Sequence, residues 1–247
     1  MLGASHFKFS VRPLPLLILA ILLPLTLSLG FWQLDRADQK QAIETQRLAQ
    51  QQAGRIVLSP QDTNKEMVLY REAQATGELM LNQQLLLDNQ KYNGTPGYHV
   101  LSPLRLQGHN TYVLVNRGWI GQGNDRSAIP TLPAVQNNAK ILGRIENVPS
   151  VGMRLGEPGE AGPNWPKRVI YADIEWLQQQ TGWQFLPYVL YQTNDTRDGL
   201  IRDWEKHFKP KQRMTPEKHT GYAVQWFGLS IALVILFLVA SVRKISD

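Results

Sequence analysis

The chain has 247 residues, a formal net charge of +6 and no cysteine. That length fits one sizeable domain plus membrane segments, with little room for two full domains. Without cysteine there are no disulfides, thiolate metal sites, iron–sulfur clusters or cysteine nucleophile. The basic balance (pI ≈ 9.5) suits an anionic membrane surface or an acidic partner. No zinc-finger spacing, RNP-like strand or lysine-rich arm accompanies it, so nucleic acid is not an expected partner.

Mean hydropathy is negative, at -0.27, yet the apolar residues are concentrated at the two ends. Residues 14–31 read LPLLILAILLPLTLSLGF without a charge, flanked by Lys8 and Arg12 before and by Asp35 and Arg36 after. With Trp32 at the exit this segment just reaches the ~20 residues needed to cross a bilayer. Pro24 lies in the middle and predicts a kink. A cleaved signal peptide competes with a retained anchor here, since Ser28-Leu29-Gly30 resembles a small-x-small cleavage site. The helical pattern running on through Lys40 to Gln52 favours the anchor.

The domain that follows is predicted from short runs with period-two alternation, bounded by turn residues. They cover residues 67–79, 84–89, 98–106, 111–119, 140–146, 168–171 and 185–191, after a break at Ser59-Pro60. Asn93-Gly94, Gly108-His109-Asn110 and Gly121-Gln122-Gly123 supply turn chemistry, and the runs at 98–106 and 111–119 predict a hairpin. Residues 149–166 are dense in glycine and proline and read as a long irregular loop. One internal helix is expected, with Asp173 as N-cap, Trp176 at N3, Leu177 on the inner face and Gly182 closing it.

Residues 222–242, YAVQWFGLSIALVILFLVASV, form the clearer span, with Tyr222, Trp226 and Phe227 as an aromatic belt. Two spans place both tails on one side. Lys8, Arg12, Arg243 and Lys244 mark that side as cytoplasmic; the basic stretch at 206–218 belongs to a long loop that translocates regardless of charge. With no room for an Arg/Ser-rich transit sequence, a bacterial inner membrane is expected. The fold class is therefore α+β: two terminal transmembrane helices (13–33 and 221–242) flank an extracytoplasmic domain (34–220). That domain is mainly antiparallel β, barrel-like or sandwich-like. Cytoplasmic tails are expected at 1–12 and 243–247.

No GxSxG, HExxH, GxGxxG, Walker A or His-x-His pattern is present, and no convergent acid, base or nucleophile cluster is visible. Gly121-Gln122-Gly123-Asn124 lacks the rest of a phosphate loop and reads as a turn. His6, His99, His109 and His207 each read as solvated or hydrogen-bonded side chains. His219 stands about one turn before the second span, with Tyr222, Ala223 and Trp226 at i+3, i+4 and i+7. An imidazole beside apolar side chains at the bilayer edge could ligate a haem iron, with Arg36 and Lys40 at a matching depth to meet propionates. The same residues also make an ordinary interfacial belt. Gln33 and Gln225, near the membrane edges, are placed to hydrogen bond across the two helices.

Three runs carry a family resemblance. Leu29-Gly30-Phe31-Trp32-Gln33-Leu34-Asp35-Arg36, closing with Lys40, looks like the first-helix motif of the surfeit locus protein 1 family. Val115-Asn116-Arg117-Gly118-Trp119 resembles that family's central Arg-Gly-Trp motif. The run from His219 to Phe227 is similar to its second-helix motif, His-x-x-Tyr-Ala-x-x-Trp. The chain differs in having Lys218 where asparagine is common and Ile120-Gly121 where proline is common. The resemblance implies a non-enzymatic assembly factor for a haem–copper terminal oxidase, acting as haem a is inserted into the catalytic subunit. A membrane-tethered scaffold that never binds haem is the alternative. It further implies partnership with that subunit and the haem a delivery machinery, and His219 as metal ligand. Tyr222, Trp226, Arg36 and Trp32 line the expected haem a site. Within the central motif, Trp119 reads as buried with Gly118 allowing close backbone approach, and Arg117 as a charge facing a partner or a propionate.

Overall fold

The computed structural model describes residues 7–10, 12–123, 125–126, 128–149, 156–159, 162–194, 196–205 and 214–244. Two compact units emerge, one comprising residues 1–46 with 210–247, the other residues 47–209.

The first unit is a pair of apolar helices. Helix α1, Pro13–Gln52, continues unbroken past Pro24 and Ser28-Leu29-Gly30, as the glycine-free run beyond residue 31 predicts; its last turns, from Arg47, belong to the second unit. Helix α4, Pro216–Ser241, starts five residues ahead of the expected span, because Thr215 caps it and Pro216 occupies its first turn. Both are long and apolar enough to cross a membrane. Strand β1, Phe7–Phe9, pairs antiparallel with β10, Val242–Lys244, so the two tails lie side by side.

The second unit is an eight-stranded mixed sheet rolled into a tube. Its strands are β2 (Ile56–Val57), β3 (Glu72–Leu79), β4 (Leu85–Tyr92), β5 (Thr95–Leu106), β6 (Thr111–Gly121), β7 (Asn138–Glu146), β8 (Lys167–Val169) and β9 (Gln184–Gln192). The order is β2-β3-β7-β9-β6-β5-β4-β8, and an extra β3–β5 pairing closes β3, β7, β9, β6 and β5 into a barrel. That seam is three residue pairs long, from Gly77↔Leu106 to Leu79↔Leu104. It depends on Gly77, where an added Cβ would stand 1.9 Å from the Arg105 carbonyl oxygen. Alternate residues point inward and form the core: Ala73, Ala75 and Leu79 of β3, Val113 and Val115 of β6, and Leu186, Tyr188 and Leu190 of β9 are among them. The outer face of β6 and β9 buries Leu114 and Val189 under Trp176 and Leu177 of helix α3, Ile174–Thr181.

The hairpin expected from the runs at 98–106 and 111–119 is β5–β6, and Asn93-Gly94, both at positive φ, turns β4 into β5. One sequence expectation is corrected. Residues 67–71 are not strand: Asn64 accepts a hydrogen bond from Glu66 N and caps a short helix α2, Lys65–Val68, and Tyr70 then takes φ 68°. The sheet is mainly antiparallel, with β2–β3, β4–β8 and β6–β9 as its parallel pairs. The connection through α3 brings β9 back beside β6 in the same direction.

Candidate functional site

The first turn of α4 carries His219. Thr215 Oγ1 accepts from Lys218 N at 3.4 Å, and His219 N donates to Thr215 O at 3.2 Å, which fixes the imidazole's place on the helix. Its side chain turns toward α1 and is 8% exposed. His219 Nδ1–H donates to Gln33 Oε1 at 2.7 Å. An amide oxygen can only accept, so Nδ1 carries a proton, and in the neutral ring the lone pair is then on Nε2. This is the state in which imidazole ligates a metal, and a hydrogen bond to the opposite nitrogen is the usual support of such a ligand.

The same helix pair is stitched further along. Thr26 Oγ1 and Ser230 Oγ share a buried hydrogen bond of 2.7 Å, in which one hydroxyl donates to the other while the accepting one gives its own proton to a carbonyl of its helix, Leu22 O for Thr26 or Trp226 O for Ser230. Phe227 packs edge-on against Phe31, with ring centroids 5.3 Å apart. It also lies over Gly30, where a Cβ would come within 2.6 Å of the ring. Ala37 and Ala223 are buried on the two helices. The predicted cross-helix role of Gln33 is thus met, although its partner is His219; Gln225 is exposed.

The structure gathers only part of the predicted constellation at His219. Ala223 is buried beside it and Trp226 is half-buried, 20° around the helix by the seven-residue step. Tyr222, set off by 60° at i+3, is 44% exposed, and Trp32 is 48% exposed. Arg36 is exposed too; its guanidinium lies 5.7 Å from the Trp32 ring centroid and donates to Gln39 Oε1 at 2.8 Å. The residues therefore provide one imidazole with an oriented lone pair and, on the neighbouring faces, exposed aromatic surface with one guanidinium. That donor set fits an axial histidine and a flat, propionate-bearing macrocycle.

The central motif lies in the second unit and is structural at two of its three positions. Trp119 is buried and its Nε1–H donates to Gln90 O at 2.9 Å. Gly118, at φ +141°, leaves no room for a Cβ, which would stand 2.8 Å from Leu200 Cβ. Arg117 is not a surface charge. It is the extra residue of a bulge in β6, only 1% exposed, and its Nη2 donates to Asp198 Oδ2 at 3.0 Å. Arg202 Nη2 donates to both oxygens of the same carboxylate, at 2.7 and 2.6 Å. Burial pushes Arg117 below its ordinary value, against the pull of Asp198. Burial also pushes the Asp198 carboxyl up, but the hydrogen bond and charge of Arg202, with the Leu200 N–H, outweigh it and hold the carboxyl low.

Of the other histidines, His99 is buried within 3.3 Å of Asn116 Nδ2 and edge-on to Trp204, and His109 is exposed. His6 and His207 lie outside the described residues, as do Asn124 of the glycine turn and part of the 149–166 loop. No group of three histidine or acidic side chains that could hold a bare metal ion occurs among the described residues.

The SURF1 family model matches residues 20–231, which takes in both helices and the barrel. The chain belongs to the SURF1 family. It is similar to the SURF1-like protein of Rickettsia felis, with 25% identity over 233 residues, covering 90% of this chain and 95% of that one. The SURF1-like protein of Dictyostelium discoideum is 24% identical over 257 residues, covering 85% of this chain and 89% of the relative. All three motif runs of this SURF1 chain, from Leu29 to Phe227, lie inside the matched region.

Proposed function

We propose that this protein is a membrane-anchored assembly factor for a haem–copper terminal oxidase, and that it assists haem a insertion into the catalytic subunit with His219 as an iron ligand. The SURF1 family is known as a family of cytochrome c oxidase assembly factors, and membership supports the first part. The observation that supports the second is the 2.7 Å hydrogen bond from His219 Nδ1 to Gln33 Oε1. It leaves the Nε2 lone pair for iron and holds the ring's angle. Bound haem a supplies the iron that accepts this lone pair. Trp32, Tyr222 and Trp226 offer it apolar surface, and Arg36 a counter-charge for a propionate. No covalent catalysis by the chain is involved.

In this reading both spans are retained in a bacterial inner membrane, both tails are cytoplasmic and the barrel is extracytoplasmic. The β1–β10 pairing supports placing the tails on one side. Partners are the oxidase catalytic subunit and the haem a delivery machinery.

The burial of His219 also favours a second reading, in which its bond to Gln33 serves only to pair the helices of a scaffold that never binds haem. Purification from cells that make haem a separates the two. A Soret band that travels with the protein and is lost in His219→Ala supports ligation; a band unchanged by that substitution, or no band at all, leaves the scaffold. Deleting the protein and recording the oxidase haem spectrum tests both, since a fully haem-loaded oxidase in the deletion strain would remove them together.

A further inference from the structure

The barrel has a mouth where β6 and β9 end. Inward-facing alternation along β6 runs Val113, Val115 and then Arg117, which the bulge keeps on that face; along β9 it runs Leu186, Tyr188, Leu190 and Gln192. Arg117 and Gln192 therefore replace apolar core residues at the last inward layer. Both line a cavity of about 620 Å³ whose wall also includes Leu79, Val135 and Ile141.

Two polar groups in this layer have no partner among the described residues. Arg117 Nη1 is a buried donor without an acceptor, and Gln192 Oε1 is a buried acceptor without a donor. The Gln192 amide is oriented by its own Nε2, which donates to Asn194 O at 3.1 Å. Each such group is destabilising while it stays unmet. Arg117 and Arg202 both donate to the carboxylate of Asp198. Lys140 and Arg197, both exposed, add positive charge at the rim of the same cavity. Mouths of β-barrels with an apolar wall and a few convergent polar groups are common ligand sites.

We infer that the β6/β9 mouth of the barrel binds the C-terminus of a peptide chain ending in an apolar residue. The terminal carboxylate meets Arg117 Nη1 and the field of Lys140 and Arg197. The last amide N–H donates to Gln192 Oε1, and the terminal side chain packs on Leu79, Val135 and Ile141. A bare anion would leave the Gln192 oxygen unmet, and an uncharged apolar ligand would leave Arg117 unmet; a chain end carries both complements within one residue. The site is independent of His219 and of haem.

The test uses the full-length protein in phosphatidylcholine nanodiscs, with N-acetyl-valyl-leucine and its C-terminal amide as probes and the unfolding midpoint as readout. The free acid is expected to raise the midpoint and to bind at least about tenfold more tightly than the amide, because the charge-assisted hydrogen bond is lost in the amide. Arg117→Met should erase that preference. Because Arg117 is buried, Lys140→Gln combined with Arg197→Gln provides a surface variant, in which acid binding should weaken several-fold while amide binding stays unchanged. Equal binding of acid and amide to the unaltered protein, or binding of neither at millimolar concentration, overturns the site. So does a preference for the acid that the surface variant leaves intact.

Discussion

A glutamine oxygen 2.7 Å from Nδ1 of His219 decides which ring nitrogen carries the proton. Gln33→Leu removes that decision, and the ring is free to turn and change tautomer. Where haem is bound, a roughly ten- to hundredfold loss of haem affinity is expected from such a change. Titrating haem into Gln33→Leu and following the Soret maximum checks it, and Gln33→Glu, which keeps the acceptor, should restore binding. Asp198 offers a second residue-scale prediction. It accepts from two guanidiniums in a buried setting, so Asp198→Asn should cost about 3–5 kcal/mol in a denaturant titration. Its carboxyl is held below the usual range, so its stabilising contribution is complete above the ordinary carboxylate pKa and disappears as the pH falls through the depressed value. The acid limb of the stability profile should therefore flatten in the asparagine variant. Position and type of His219 were legible in the sequence as a histidine at the head of a span. Its partner 186 residues earlier, and the Arg117–Asp198 pair 81 residues apart, were not, because spacing along a chain reports neighbours on one element only.

At the scale of elements, α3 was readable to the residue. Asp173 Oδ1 accepts from Trp176 N at 3.0 Å, and Gly182 ends the helix in the left-handed region at φ 72°. Caps are local chemistry, and local chemistry is what a sequence displays. The parallel β6–β9 neighbourhood was not readable, since it joins strands whose connection runs through β7, β8 and α3. The α1–α4 contact gives a direct test. Gly30→Val would drive a methyl group into the Phe227 ring and push the helices apart. The chain has no cysteine of its own, so Thr26→Cys with Ser230→Cys reports on that contact cleanly. The pair should cross-link readily under oxidation, and adding Gly30→Val should slow it severalfold. Within the barrel unit, Gly118→Ala places a Cβ against Leu200 at a φ that L residues avoid. A loss of about 1–3 kcal/mol is expected in the unfolding free energy.

For the whole molecule, the sequence showed two apolar helices flanking a β-rich domain, because composition and alternation survive in one dimension. Barrel and sandwich both stayed open in the sequence, because closure rests on one short seam. Topology in the membrane can be tested on the same cysteine-free background. Single cysteines at Ser10 and Val242, next to the paired tails, should be reached by an impermeant reagent from the same side of the membrane. Gly77 acts on the barrel through that seam. By lacking a side chain it lets the rim of one strand lie flat on the carbonyl of Arg105. A methyl group there would hold the cylinder ajar like a wedge in a door, wetting a lining of valine, leucine and isoleucine that never meets solvent in the intact tube. Amide protons of residues 104–106 would then exchange first, marking the place where the cylinder unrolls.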